Sequence, residues 1–142
     1  LVGLVGSEMC IRDSVRTDVD ILITGLNPHA GMDMKKMNEE RKIIIPAIKA
    51  LKKKYTKISG PHSADSVYSN GLKLKKPFCI VGMYHDQILP IFKSINKFDG
   101  INITIGSRFL RASPDHGTAE NIINPKDIHN KSFKKCINFF SP

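Results

Sequence analysis

The run Val19 to Thr24, Val-Asp-Ile-Leu-Ile-Thr, has the β-branched content of a buried strand, and Gly25 closes it before a loop from Leu26 to Met37. Ile43, Ile44, Ala47, Ile48 and Leu51 then recur at helical spacing and predict a single apolar helix face. Glu39 and Glu40 suit the positive N-terminal end of that helix, and Lys52, Lys53 and Lys54 suit its negative end. Pro46 inside it predicts a kink, because proline has no N–H to give. A second strand is expected at Phe78 to Met83, a short helix at Gln87 to Ser94, a third strand at Ile101 to Ile105 and a last helix at Lys131 to Phe140. Strands alternating with helices predict the α/β class with a substantially parallel sheet, whose functional loops lie at the carboxyl ends of strands.

Composition narrows this picture. The 142 residues are 41% apolar and 25% charged, which suits one soluble domain. No stretch approaches the roughly 20 apolar residues of a membrane span, so no membrane partner is expected. Cys10, Cys79 and Cys136 are odd in number and show no Cys-x-x-Cys spacing, which points to a reducing, cytoplasmic setting. Residues 1–14 show neither alternation nor helical periodicity and read as a spurious leader, so the protein proper is taken as residues 15–142.

The net charge of +9 raises a competing class of function, a nonenzymatic basic module that binds nucleic acid with steep salt dependence. Lysines do cluster at Lys52 to Lys54, at Lys73, Lys75 and Lys76, and at Lys134 and Lys135. The aromatic interleaving of single-strand binders is thin, however, and the excess charge reads as solvated surface with no nucleic-acid partner.

Candidate chemistry falls at strand exits. His29, in Asn27-Pro28-His29-Ala30-Gly31, follows the first strand, and His85, in Tyr84-His85-Asp86-Gln87, follows the second. Neutral imidazoles are common ligands for divalent ions, and Asp65 or Asp86 could add an oxygen or orient a ring; equally, each histidine could serve only loop backbone. His62 and His129 have no matching strand exit and read as surface residues. Lys93, Asn102 and Arg111 form a cation, amide, cation series suited to gripping phosphate or carboxylate, with ordinary solvated surface as the alternative and Arg108 as an equivalent anion contact. The turn Asp115-His116-Gly117-Thr118 could hold a nucleotide or simply start a helix. There is no Gly-x-Gly-x-x-Gly fingerprint, so a standard dinucleotide site is not supported.

Taken together, Thr24-Gly25-Leu26-Asn27-Pro28-His29-Ala30-Gly31, Met83-Tyr84-His85-Asp86-Gln87, Asn102-Ile103-Thr104 and Asp115-His116-Gly117-Thr118 resemble the 4-hydroxythreonine-4-phosphate dehydrogenase family in order and spacing. The resemblance implies part of the two-domain fold of isocitrate and isopropylmalate dehydrogenases, with an incomplete sheet and flanking helices. It implies that His29 and His85 bind a catalytic divalent metal (Zn, Mg or Co) with Asp65 close by, that Lys93, Asn102 and Arg111 contact substrate, and that Asp115, His116, Gly117 and Thr118 lie on the NAD side. It further implies NAD-dependent oxidation and decarboxylation of 4-phosphooxy-L-threonine in pyridoxal 5'-phosphate biosynthesis, by a homodimer that shares its active sites. Family members are more than twice this long, and their N-terminal half carries another metal histidine, so the chain is expected to be inactive alone. Arg108 stands where the family usually has proline. A sister dehydrogenase acting on another four-carbon sugar-acid phosphate fits the same motifs.

Overall fold

The computed structural model describes residues 19–35, 38–97, 99–104, 108–115, 124 and 129–141. Residues 1–14, His116, Gly117 and Thr118 lie outside the described residues. The chain divides into two compact units between Pro90 and Ile91.

The first unit is built on a three-stranded parallel sheet in the order β2-β1-β3, with β1 at Asp20–Thr24, β2 at Ile58–His62 and β3 at Phe78–Val81. Leu22 stands opposite Ile80, and Ile23 opposite Val81. Because side chains alternate along a strand, this register sorts the core onto two faces. Leu22, Ile80 and Ile88 pack with fully buried Val67 on one face. Ile23 and Ile58 pack with Ile44 and Ile48 on the other.

Two helices cover those faces. A widened turn at Glu40–Ile44 leads into α1, Ile45–Lys52, and α2 spans Val67–Lys73. The kink expected at Pro46 takes the form of that turn, in which the Ile45 N–H reaches back to Glu40 O. Pro46 offers no N–H to Lys42 O, so regular helical bonding cannot run through this point. Ile44 and Ile48 face the core as expected, whereas Ile43 is 64% exposed and Ala47 also lies in solvent. The widened turn rotates the residues before Pro46 relative to those after it, so one stripe cannot include all five positions.

The strand order has a topological consequence. Passing from β1 to β2 and from β2 to β3 moves in opposite directions across the sheet, and right-handed crossovers then require α1 and α2 on opposite faces. The two core clusters show this arrangement. The segment after β1 therefore leaves toward the Ile23 face, where Met83 also packs, while Ile88, seven residues past β3, packs on the Leu22 face. The carboxyl ends of such strands are the usual ligand position in open α/β sheets.

The second unit contains most of α3, Leu89–Asn96, together with an antiparallel pair, β4 at Ile101–Thr104 and β5 at Arg111–Pro114, and α4 at Lys131–Phe140. Ser132, buried on α4, donates its hydroxyl to Gly100 O and accepts the Asp115 N–H at 2.8 Å, tying the helix to both strands.

Local pattern predicts β1, α1, β3, α3, β4 and α4 but not β2, α2 or β5. The β3 strand ends at Val81 rather than Met83. Ile105, expected at the end of β4, lies outside the described residues.

Candidate metal and anion site

His29 and His85 follow the carboxyl ends of β1 and β3, which are neighbours in the sheet. His29 sits in a short turn, Pro28–Gly31, where His29 and Ala30 adopt φ of 51° and 52°. Left-handed backbone in residues with a Cβ costs on the order of 1–2 kcal/mol each and persists only where the surroundings impose it.

The imposing contacts come from Asn27, Asn38 and Glu40. Glu40 is 1% exposed, accepting the Asn27 N–H at 2.7 Å and the Asn27 side-chain amide at 2.8 Å. Asn38 donates to Gly31 O at 2.9 Å. Gly25 and Gly31 make room, since a Cβ on Gly25 would lie 2.7 Å from Ala30 Cα and one on Gly31 would lie 2.5 Å from Glu40 Oε2. Glu40 stands in the first turn of its helix, as expected, and is also the buried anchor of the histidine loop.

His29 and His85 are each held at Nδ1 by a carboxylate. His29 pairs with Asp33, and His85 pairs with Asp86 at 2.6 Å. The hydrogen bond and charge of Asp33, with a smaller contribution from Asp65, raise the His29 pKa. Asp65 is held below its ordinary value by hydrogen bonds from Ser63 and Ser66 and by the His29 charge, against a smaller opposing effect of desolvation. Asp65 and His29 thus feel one another across the β1 and β2 exits.

These residues suit a divalent cation in donor chemistry. An imidazole held at Nδ1 by a carboxylate presents Nε2 to a metal, and such outer partners orient the ring and raise its basicity. Among the described residues no three His, Cys, Asp or Glu side chains converge into a complete metal cluster. His29, His85 and Asp65 thus have suitable donor types but do not converge on one point among the described residues.

A further side chain went unnoticed in the sequence. Gln87 accepts the Met83 N–H at 2.7 Å and the Thr24 hydroxyl at 2.8 Å through Oε1, and donates through Nε2 to Gly25 O at 2.6 Å. Only a polar residue just beyond a strand could have flagged it. His62, read as a surface residue without a strand exit, is the last residue of β2 and half-buried, with Nε2 2.8 Å from Ser59 Oγ. Burial, with the Lys52 charge adding to it, lowers the His62 pKa. His129 is exposed, as read.

In the second unit, Asn102 pairs with Ser113 and Thr104 with Arg111 across β4 and β5. Paired residues share a face, so Asn102 and Arg111 lie together on the exposed side of the hairpin, while half-buried Ile101 and Ile103 take the other. Alternation along β4 places Asn102 in solvent. Lys93 on α3 reaches Asp115 at 3.3 Å, which joins an expected substrate contact to an expected cofactor contact. The guanidinium of Arg108 stands 5.8 Å from the Phe109 ring centre.

Residues 6–140 match the model of the family described as pyridoxal phosphate biosynthetic protein PdxA. The 4-hydroxythreonine-4-phosphate dehydrogenase of Wigglesworthia glossinidia brevipalpis is 49% identical over 117 residues, covering 82% of this chain and 35% of the relative. That of Bradyrhizobium diazoefficiens is 43% identical over 121 residues, covering 85% and 34%. The crystal structure of 4-hydroxythreonine-4-phosphate dehydrogenase from Klebsiella pneumoniae superposes with a TM-score of 0.69 at 32% identity, covering 91% of this chain and 39% of that one. The enzyme of that name from Burkholderia phymatum gives 0.62 at 30% identity, covering 85% and 37%. The chain thus spans about a third of the length of the curated relatives it matches. With its parallel sheet, its histidines at neighbouring strand exits and a match over residues 6–140, the chain belongs to the PdxA family of pyridoxal phosphate biosynthetic proteins.

Proposed function

We propose that this chain, taken as residues 15–142, is the C-terminal portion of an NAD-dependent dehydrogenase. The reaction is oxidation and decarboxylation of 4-phosphooxy-L-threonine to 3-amino-2-oxopropyl phosphate. The observation that carries this reading is the pair of carboxylate-held histidines, His29 and His85, at the exits of adjacent parallel strands. The relatives' name, 4-hydroxythreonine-4-phosphate dehydrogenase, supports the substrate. The sheet is read as part of an isocitrate and isopropylmalate dehydrogenase-like fold, in a cytoplasmic homodimer with shared sites.

In this reading His29 and His85 ligate a divalent cation (Zn, Mg or Co) through Nε2, with Asp65 beside them and a further histidine supplied by the rest of a longer chain. A bound cation would supply Lewis acidity to the substrate's secondary hydroxyl, and NAD would supply the hydride-accepting chemistry. Asp33 and Asp86 fix the ring orientations. Lys93, Asn102 and Arg111 bind the phosphate or carboxylate, Arg111 through its planar fork. Asp115 holds Lys93, and Asp115, His116, Gly117 and Thr118 are assigned to the cofactor side. The third of a relative's length present here would leave the chain inactive by itself.

The test is turnover by the full-length protein encoded by the reading frame that contains these residues. NADH formation should be faster with 4-phosphooxy-L-threonine than with the 4-phosphates of threonate or erythronate. The reverse order would replace the substrate assignment with a sister dehydrogenase.

A further inference from the structure

The β1–β3 ladder pairs residues as far as Ile23 and Val81; past it, Met83 still packs on the Ile23 face and Ile88 on the Leu22 face. Something other than the ladder must then set the distance between the loops carrying His29 and His85. The Gln87 side chain lies in that position. Its residue is 8% exposed, and its Oε1 accepts from Met83 N on the β3 exit and from the Thr24 hydroxyl at the end of β1. Its Nε2 donates to Gly25 O, the first residue of the loop that leads to His29.

An amide is the group that can do this. One oxygen with two lone pairs takes two donors, and the adjoining nitrogen serves a carbonyl. Thr24 is fully buried and Gln87 nearly so, which removes water as a substitute partner. Gln87 is also two residues from His85, so a shift of its side chain carries that loop with it. A carboxylate at this position would oppose Gly25 O with a second acceptor, and an apolar side chain would leave the Met83 N–H and Gly25 O without this partner.

We propose that Gln87 is a positioning residue that sets the spacing of the two histidine loops, extending the strand pairing by one side chain beyond the end of the ladder. This rests on the reading that His29 and His85 hold a metal. The residue touches neither metal nor substrate in that scheme; it acts through Gly25 and Met83.

The experiment titrates Co2+ into the full-length protein and reads both affinity and the visible ligand-field spectrum. Gln87→Met should weaken Co2+ binding by roughly 10–100-fold, the range for loss of outer partners at metal sites, and should change the spectrum. Thr24→Val, which keeps side-chain shape and removes one of the three Gln87 bonds together with the longer 3.3 Å contact to Val81 O, should give a smaller loss in the same direction and covers the case in which Gln87→Met does not fold. Ile48→Ala, a core truncation on the opposite face, is the control for destabilisation alone and should leave affinity unchanged. Gln87→Met and Thr24→Val binding Co2+ no more weakly than Ile48→Ala would overturn the positioning role. His29→Ala and His85→Ala test the underlying reading separately. If both bind Co2+ as tightly as the unsubstituted protein, the metal assignment fails and the role of Gln87 falls with it.

Discussion

Asn27 meets Glu40 twice, its backbone N–H donating to Oε1 at 2.7 Å and its side-chain amide to Oε2 at 2.8 Å. Both oxygens of a carboxylate that is 1% exposed are thereby engaged by a residue two positions before His29. Replacing Glu40 with Gln puts an NH2 group against the Asn27 N–H or its NH2. Glu40→Gln should destabilise the protein by about 1–3 kcal/mol, the cost of disrupting a buried hydrogen-bonded charge, measured from urea unfolding. An unchanged midpoint would show that Glu40 does not anchor the loop.

The same carboxyl predicts a pH effect. Burial pushes the Glu40 pKa up, but the hydrogen bonds from the Asn27 amide and side chain, and from the Glu40 and Leu26 amides, bring it below the ordinary 4.5 overall. A depressed folded-state pKa contributes stability that is present above 4.5 and is lost as pH falls through the folded value. Unfolding curves between neutral and acidic pH should therefore converge for the protein and Glu40→Gln once the pH is below that value. A stability difference that stays constant down the acid range would contradict the assignment.

Gly31 holds φ of 67°, and a Cβ there would crowd Asn38 Nδ2 and Glu40 Oε2. Gly31→Ala should cost at least the roughly 1–2 kcal/mol of left-handed backbone and should weaken the Glu40 anchor as well. In a double-mutant cycle with Glu40→Gln the two losses should fall short of additive, because one contact is counted in both. Additive losses would mean that the two residues act independently.

His62 supplies a prediction of opposite origin. Burial and the Lys52 charge lower its pKa below the ordinary 6.5. The unfolded chain then takes up a proton at a higher pH than the folded one does. The stability associated with His62 is full above 6.5 and declines as pH falls from 6.5 toward the folded value. His62→Gln should flatten that segment of the stability profile, and NMR titration of the ring should give a midpoint below 6.5. A midpoint above it would reverse the sign.

Lys93 and Arg111 carry the anion-binding part of the proposed function. Loss of one charge-assisted hydrogen bond, worth about 1.5–3 kcal/mol, corresponds to roughly 10–100-fold in binding. Lys93→Met and Arg111→Met in the full-length protein should each raise KM for the phosphorylated substrate by that factor and alter kcat less. Arg111→Lys should recover only part of the loss, because an ammonium cannot form the bidentate contact. A fall in kcat with KM unchanged would move these residues out of substrate binding.

Local pattern sufficed for β1, β3, β4 and α4, and it placed His29 and His85 at strand exits, since strand and helix periodicities are written within a few neighbouring residues. It did not suffice for β2. Ile58-Ser-Gly-Pro-His62 has little strand propensity, and it becomes a strand because β1 offers its open edge, with Ile21 opposite Ile58 and Ser59 beside Leu22. The missing strand also concealed His62 as a strand-exit residue and hid the strand order β2-β1-β3, which makes the β1 and β3 exits neighbours.

What the sequence by itself determined was the periodicity of the main elements and the kind of chemistry available, imidazoles, carboxylates and a cation series in a familiar order. Tertiary structure decided which of those groups meet. Glu40 is an acidic first-turn residue until Asn27 closes on it, and Gln87 is a loop glutamine until Thr24, Gly25 and Met83 surround it. A buried polar group must be matched by partners, and those partners lie 13 residues away for Glu40 and as many as 63 for Gln87. Hydrogen bonds over such separations depend on sheet order and register, which no short window of sequence contains.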